Sequence, residues 1–186
     1  MKIENSFEVD APPEAAWALL MDVPRVIPCM PGATLAETVD EDHWKAKLAV
    51  KLGPISLSFD ADVTRETSDD QAHRAVLATD ARESRGRGSA QATIESTLVA
   101  QNGGTRVDIV TDLTLTGPVA QYGRGMVQSV AGQMTASFAS CLQKQLAPVS
   151  PSEPAPVVEA KPVSGLRVGF RALYDVVSRP FRRRKP

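Results

Sequence analysis

The 186-residue sequence predicts an α+β fold: a curved antiparallel sheet around one long C-terminal helix, followed by a flexible linker and an amphipathic basic tail. Three observations predict it. Apolar residues alternate with polar ones from Ala33 to Thr116 across short connections, as in antiparallel strands joined by hairpins. From Pro118 to Ala147 the apolar spacing changes to three and four, the period of a helix. Beyond Ala147 the composition turns first to proline and then to arginine.

The elements follow in order. Ile3, Phe7 and Val9 alternate with Glu4, Ser6 and Glu8, which predicts a first strand with one buried face. In "DAPPEAAWALLMD", Asp10 is placed to cap a helix, the two prolines suit its first turn, and Pro24 follows its end. "VPRVIPCMPGA" reads as a short second helix or turn. Next come "ATLAETV" and "HWKAKLAVKL", separated by the turn Asp40-Glu41-Asp42, then "ISLSFDADVTRET" after Gly53-Pro54. "AHRAVLATDARES", "GSAQATIESTLVA" and "TRVDIVTDLTLTG" complete the sheet, with Gly103-Gly104 after Asn102 marking a tight hairpin. The long helix is predicted over Pro118–Ala147, with Gly123, Gly125 and Gly132 weakening its first half. This divides the chain into a globular body at 1–147, a Pro-rich linker at 148–163 and a basic tail at 164–186. The sixteen linker residues reach roughly 50 Å if extended.

The charge is polarised. From Ser164 onward there are seven bases and one acid, a net +6. The whole chain carries −1, so the residues before Ser164 hold −7. Such a tail suits an anionic surface. Cys29 and Cys141 lie far apart in no metal or redox spacing, and read as two buried thiols of a reducing compartment rather than a disulfide. Glu4 and Glu8 stand where a signal peptide needs an apolar run, and no window approaches the ~18 apolar residues of a membrane span. The expected location is the cytoplasm, with peripheral attachment to the inner face of the cell membrane.

The stretch "FEVDAPPEAAWALLMD", with the order of elements behind it, resembles the opening of the START-like, or Bet v 1-like (SRPBCC), superfamily of helix-grip domains. "VIPCMPGA", "VKLGPISLSFDADV", "GRGSAQATI" and "TDLTLTGPVAQYGRGMV", in that order, narrow the resemblance to the carbon monoxide dehydrogenase G-subunit family. The resemblance covers Met1 to about Leu146. It implies a non-catalytic accessory protein without a covalent or redox cofactor of its own. It also implies as partner a carbon monoxide dehydrogenase or related molybdenum hydroxylase, recruited to the membrane so that electrons reach the quinone pool.

The residues themselves offer little catalytic chemistry. His43 and His73 are the two histidines, and neither is paired with a partner by sequence. No Cys/His cluster has metal-ligand spacing. "RGRGSAQ" lacks the Gly-Lys-Ser/Thr ending of a phosphate loop and precedes a strand, so its glycines read as easing a bend. Alternation points Asp60 and Asp62 to solvent.

The predicted ligand-binding residues are Met30, Trp44, Leu48, Phe59, Leu115, Tyr122, Met126, Val130 and Met134. Pattern alone allows them simply to pack the core; the fold resemblance favours a cavity. Methionines suit a long apolar ligand of variable shape. An isoprenoid quinone fits the context, and a lipid or fatty acid satisfies the same walls. A small cyclase- or hydrolase-like enzyme in the same fold is the alternative.

The predicted membrane-binding residues form a two-part device. Leu166, Phe170, Leu173 and Val177 share one helical face, and Arg167 and Arg171 lie on the other. Beyond Pro180 follow Phe181, Arg182, Arg183, Arg184 and Lys185, with Arg179 just before it. A helix of about fifteen residues spans only ~22 Å and is too charged to cross a bilayer, but it can lie along one. Nucleic acid is not an expected partner, because it makes no use of the apolar face. A partner groove and a merely solvated basic end remain alternatives for the tail.

Overall fold

The computed structural model describes residues 1–52 and 55–147, leaving out the side chains of Leu52, Ile55 and Tyr122. The Gly53-Pro54 break, the linker and the basic tail lie outside the described residues. Strand β1 (Lys2–Val9) leads into helix α1 (Pro13–Met21), the short α2 (Val23–Val26) and a 3₁₀ turn, Ile27–Cys29. The strands β2 (Ala33–Thr38), β3 (His43–Leu52), β4 (Ile55–Asp69), β5 (Arg74–Glu83), β6 (Ser89–Gln101) and β7 (Gly104–Thr116) follow. A second 3₁₀ segment, Gly117–Tyr122, leads into α3 (Gly123–Leu146).

The strands form one antiparallel sheet in the order β1-β7-β6-β5-β4-β3-β2, a START/Bet v 1-like helix-grip arrangement with β1 carried across to pair with β7. Register shifts at Leu35/Glu37 and at Arg65/Thr67 insert extra residues, and such bulges bend and twist a strand. At the β6–β7 hairpin, Asn102 and Gly103 take φ of 52° and 83°, and Gln101 pairs with Gly104. The two-residue turn is thus Asn102-Gly103, one position earlier than the sequence pattern suggests.

Two other expectations are corrected at helix ends. Asp10 does not cap α1: Pro12 is the N-cap residue, no side chain caps it, and the Asp10 N–H donates to Gln143 Oε1 at 2.8 Å. The long helix is not continuous from Pro118. Gly123 takes φ 66°, which only glycine adopts cheaply, and this breaks the 3₁₀ segment from α3.

The cysteine expectation is also overturned. Cys29 and Cys141 are joined as a disulfide, with Cα atoms 5.4 Å apart, inside the normal span for such bridges. Their 112-residue separation hid this, because α3 returns over the 3₁₀ turn that carries Cys29.

The core falls into two clusters. The first gathers Val9, Trp17, Leu19, Val26, Leu98, Val107, Phe138 and Leu142 where α1, α2 and the last turns of α3 meet the sheet. Phe7 meets Phe138 edge to face at 6.1 Å. The second gathers Leu57, Phe59, Ala61, Ala81 and Val119 at the other end, under the Gly117–Tyr122 segment.

Candidate apolar-ligand site

Between the two clusters lies the concave face of the sheet. Alternation and register place Val63, Thr79, Ala92 and Leu113 in one cross-strand row there, and Leu77, Ile94 and Thr111 in the next. All seven are half-buried, whereas Ala61 and Ala81 in the adjoining row are buried. The middle of the inner face is thus apolar but only partly covered by protein.

The helix above it explains why. Among the described residues of α3, only Phe138 and Leu142 are fully buried, and both lie in its C-terminal half. The first half exposes Arg124, Gly125, Met126, Gln128 and Ser129, and a Cβ added at Gly125 or Gly132 would meet nothing within 4 Å. Small residues leave space beside the N-terminal half, while Phe138 and Leu142 pack the C-terminal half. One end of the helix is anchored and the other stands over an incompletely filled apolar strip.

The sequence-predicted ligand residues distribute around this space. Leu48, Phe59, Leu115 and Val130 come together at the second cluster. Met30 packs against the first. Met134 is half-buried on α3, and Met126 is 41 % exposed on its flank. Trp44 is 3 % exposed, with the Arg65 guanidinium 5.4 Å from its ring centroid. The Tyr122 side chain and the predicted membrane-binding residues lie outside the described residues. Sequence reasoning missed the half-buried middle row; the strict alternation of β4 and β7 through Val63 and Leu113 was the signal for it.

Polar groups brace the two ends. Arg65 Nε donates to Asp42 Oδ1 at 2.8 Å, Nη2 to the Glu41 carbonyl at 2.9 Å and Nη1 to the Met21 carbonyl at 3.2 Å. This ties the β2–β3 hairpin to the end of α1. In the β5–β6 turn the buried Glu83 carboxyl is drawn down to about 2 by its hydrogen bond with Arg87, burial opposing the shift and the N–H groups of Arg87 and Arg85 aiding it. Of the two glycines in "RGRGS", Gly88 permits a tight approach: a Cβ there would lie 2.1 Å from the Thr116 carbonyl oxygen.

The histidines sit outside the concave strip. His43 is exposed, and its Nδ1 meets both Asp40 carboxylate oxygens at 2.7 and 2.9 Å. The Asp42 N–H and this contact together lower the Asp40 carboxyl. His73, half-buried with φ 46°, leans on Trp17 with ring centroids 5.5 Å apart. Asp60 and Asp62 are exposed, as alternation requires. An open trough of about 450 Å³ crosses the outer face beside Asp62, Asp80, Gln91, Asp112 and Thr114. A smaller one of about 360 Å³ adjoins His43, Lys45 and Val63. The first is too polar for an apolar guest. Of the turn acids, Asp42 is engaged by Arg65, Asp69 accepts from the N–H of Gln71 and Ala72, and Asp70 accepts from Trp17 Nε1. No group of three or more His, Cys, Asp or Glu placed to hold a metal ion occurs among the described residues.

Comparison with known proteins decides the family. Residues 6–147 match the family described as CoxG, the G subunit of carbon monoxide dehydrogenase. The chain belongs to that family. No curated protein matches it. Among solved structures, this CoxG-family chain is similar to a conserved protein from Geobacillus kaustophilus, with TM-score 0.70 and 23 % identity over 79 % of this chain and 95 % of that one. It is also similar to the Zhui aromatase/cyclase from Streptomyces sp. R1128, with TM-score 0.56 and 12 % identity over 78 % and 93 %. A START superfamily protein from Mycobacterium smegmatis matches with TM-score 0.50 and 16 % identity over 78 % and 96 %. At these identities the likenesses describe the START-like fold alone. CoxG membership supports an accessory role beside carbon monoxide dehydrogenase.

Proposed function

We propose that this CoxG-family protein carries an apolar, membrane-derived ligand, an isoprenoid quinone, between α3 and the concave face. It thereby serves as electron-acceptor carrier for a carbon monoxide dehydrogenase or related molybdenum hydroxylase. The observation behind this reading is the half-buried apolar strip beneath a helix whose fully buried residues, Phe138 and Leu142, both lie in its C-terminal half. Covering it with ligand would remove apolar surface from water at about 25 cal/mol per Å². The net −7 of the chain before Ser164 is available to meet the enzyme. The +6 tail would hold the protein on the cytoplasmic face of the membrane, each base adding up to ~1 kcal/mol near anionic lipid.

Organic extraction of the purified full chain, followed by mass spectrometry and quinone titration, tests the carrier role. A bound or titratable quinone is expected; neither would overturn it. Salt-sensitive binding to anionic liposomes, lost on truncation after Pro162, is expected of the tail. Equal binding by the truncated chain would remove the docking role. A lipid carrier or a cyclase-like enzyme is the second reading. The hydroxyls of Thr79 and Thr111 on the inner face favour it. Extraction of a phospholipid or fatty acid in place of quinone would shift the assignment to lipid.

A further inference from the structure

The anchored end of α3 is held by more than packing. Cys141 on α3 is bonded to Cys29 on the 3₁₀ turn. One turn further along, Gln145 reaches the same bridge: its Nε2 donates to Cys29 Sγ at 3.1 Å and lies 3.9 Å from Cys141 Sγ. The Gln145 amide is itself oriented, because Arg25 Nε donates to its Oε1 at 2.9 Å. The two cysteines are unequal in exposure. Cys29 is 4 % exposed, whereas Cys141 is half-buried.

We infer that Cys29 and Cys141 form a thiol–disulfide exchange site, opened at Cys141 and assisted at Cys29 by Gln145 and Arg25, whose state sets how firmly α3 is held on the body. This goes beyond the carrier reading and holds whatever the interior binds.

The chemistry follows from the geometry. An incoming thiolate attacks Sγ of the more exposed residue, Cys141, forming a mixed disulfide and breaking the Cys29–Cys141 bond. The electron pair of that bond leaves on Cys29 Sγ. Exchange quickens as the departing thiolate is stabilised. A side-chain amide N–H directed at Cys29 Sγ, in the field of the Arg25 guanidinium, supplies that stabilisation. A second thiol then releases Cys141. The balance is one protein disulfide and two small thiols giving two protein thiols and one small disulfide; glutathione is of the required class. The reverse reaction, with glutathione disulfide as oxidant, restores the bridge.

The consequence falls on α3. Once the bridge opens, its last turns are held by Phe138, Leu142 and the side-chain bonds of Gln143 and Gln145. An element so released opens locally more often.

The test uses the full chain in reduced glutathione, with protein thiols trapped by alkylation at timed intervals and counted by intact mass. Two protein thiols should appear under folded conditions. Gln145→Leu and Arg25→Met should slow the reaction roughly threefold or more, as expected for a poorer leaving thiolate. Hydrogen exchange is read in parallel. Amides of residues 138–146 should exchange about tenfold faster in the reduced chain, and in Cys29→Ala and Cys141→Ala variants, with those of β5 unchanged. A bridge that resists glutathione until the chain unfolds would overturn the inference. So would unchanged rates in both the Gln145 and Arg25 variants, or identical exchange of 138–146 in oxidised and reduced forms.

Discussion

Glu83 accepts a hydrogen bond from Arg87 Nη2 at 2.8 Å, and its carboxylate also receives the N–H groups of Arg85 at 2.8 Å and Arg87 at 3.1 Å. One turn thereby closes around a carboxylate whose side chain is 1 % exposed. Folded, that carboxyl titrates at about 2 against an ordinary 4.5. Between those values the unfolded chain binds the proton and the folded chain does not, so the group's contribution is complete above about 4.5 and is lost as pH falls towards about 2. Thermal melts across that window should show a step in melting temperature that Glu83→Gln removes. An identical profile in the variant would show that other carboxylates carry the acid sensitivity.

The same turn sets a contrast between two glycines. A Cβ at Gly88 meets the Thr116 carbonyl oxygen at 2.1 Å and Val119 Cγ2 at 2.9 Å, and φ there is +127°. At Gly86, with φ +72°, nothing lies within 4 Å. Gly88→Ala should therefore cost at least ~2 kcal/mol in urea unfolding, and Gly86→Ala about 1 kcal/mol, the backbone cost alone. Equal costs would mean that the β5–β6 turn shifts freely away from Thr116.

The two halves of α3 should respond differently to truncation. Leu142 is 1 % exposed, so Leu142→Ala should lose ~2–5 kcal/mol. Met126 is 41 % exposed, so Met126→Ala should change stability by no more than ~0.5 kcal/mol. On the carrier reading Met126→Ala weakens binding of a naphthoquinone probe while leaving the melt unchanged. A calorimetric titration beside the melt separates the two effects.

Opening the disulfide should lower stability as well as loosen the helix. A bridge between residues 112 apart restricts the unfolded chain by up to ~5 kcal/mol in the chain-entropy account. Urea midpoints with and without reductant measure this directly. No difference would mean that the reduced unfolded chain stays compact around the first core cluster.

Much of the fold is legible in the residues because local periodicity carries it. The alternation of Ile3, Val9, Phe59, Ala61 and Val107 marks the inner face, and the buried positions follow it. The break at Gly123 was less legible, since Gly-Arg-Gly inside an apolar three-four pattern reads as a weak helix until the backbone shows φ 66°. The cap at Asp10 failed for a different reason: the helix begins at Pro13 with Pro12 as its N-cap residue, so Asp10 stands two positions too early.

The candidate site was legible in part. Leu48, Phe59, Leu115 and Val130 converge at the second cluster. Met30 instead packs against the first cluster, and the buried Trp44 pairs with Val63, which with Leu77 and Leu113 holds the middle. Cross-strand register decides which inward residue lies over which, and register depends on bulges at Leu35/Glu37 and Arg65/Thr67 that composition does not announce.

By itself, then, the sequence determined the element order, the inward and outward faces, the polarised charge and the family, because each rests on neighbours along the chain. Only the tertiary structure decided that Cys29 meets Cys141, that Gln145 and Arg25 attend the bridge, and that α3 is pinned at one end over a partly covered apolar strip. The contacts at the bridge join residues more than a hundred positions apart, and distance along the chain carries no information about distance in space once a sheet has curved around a helix.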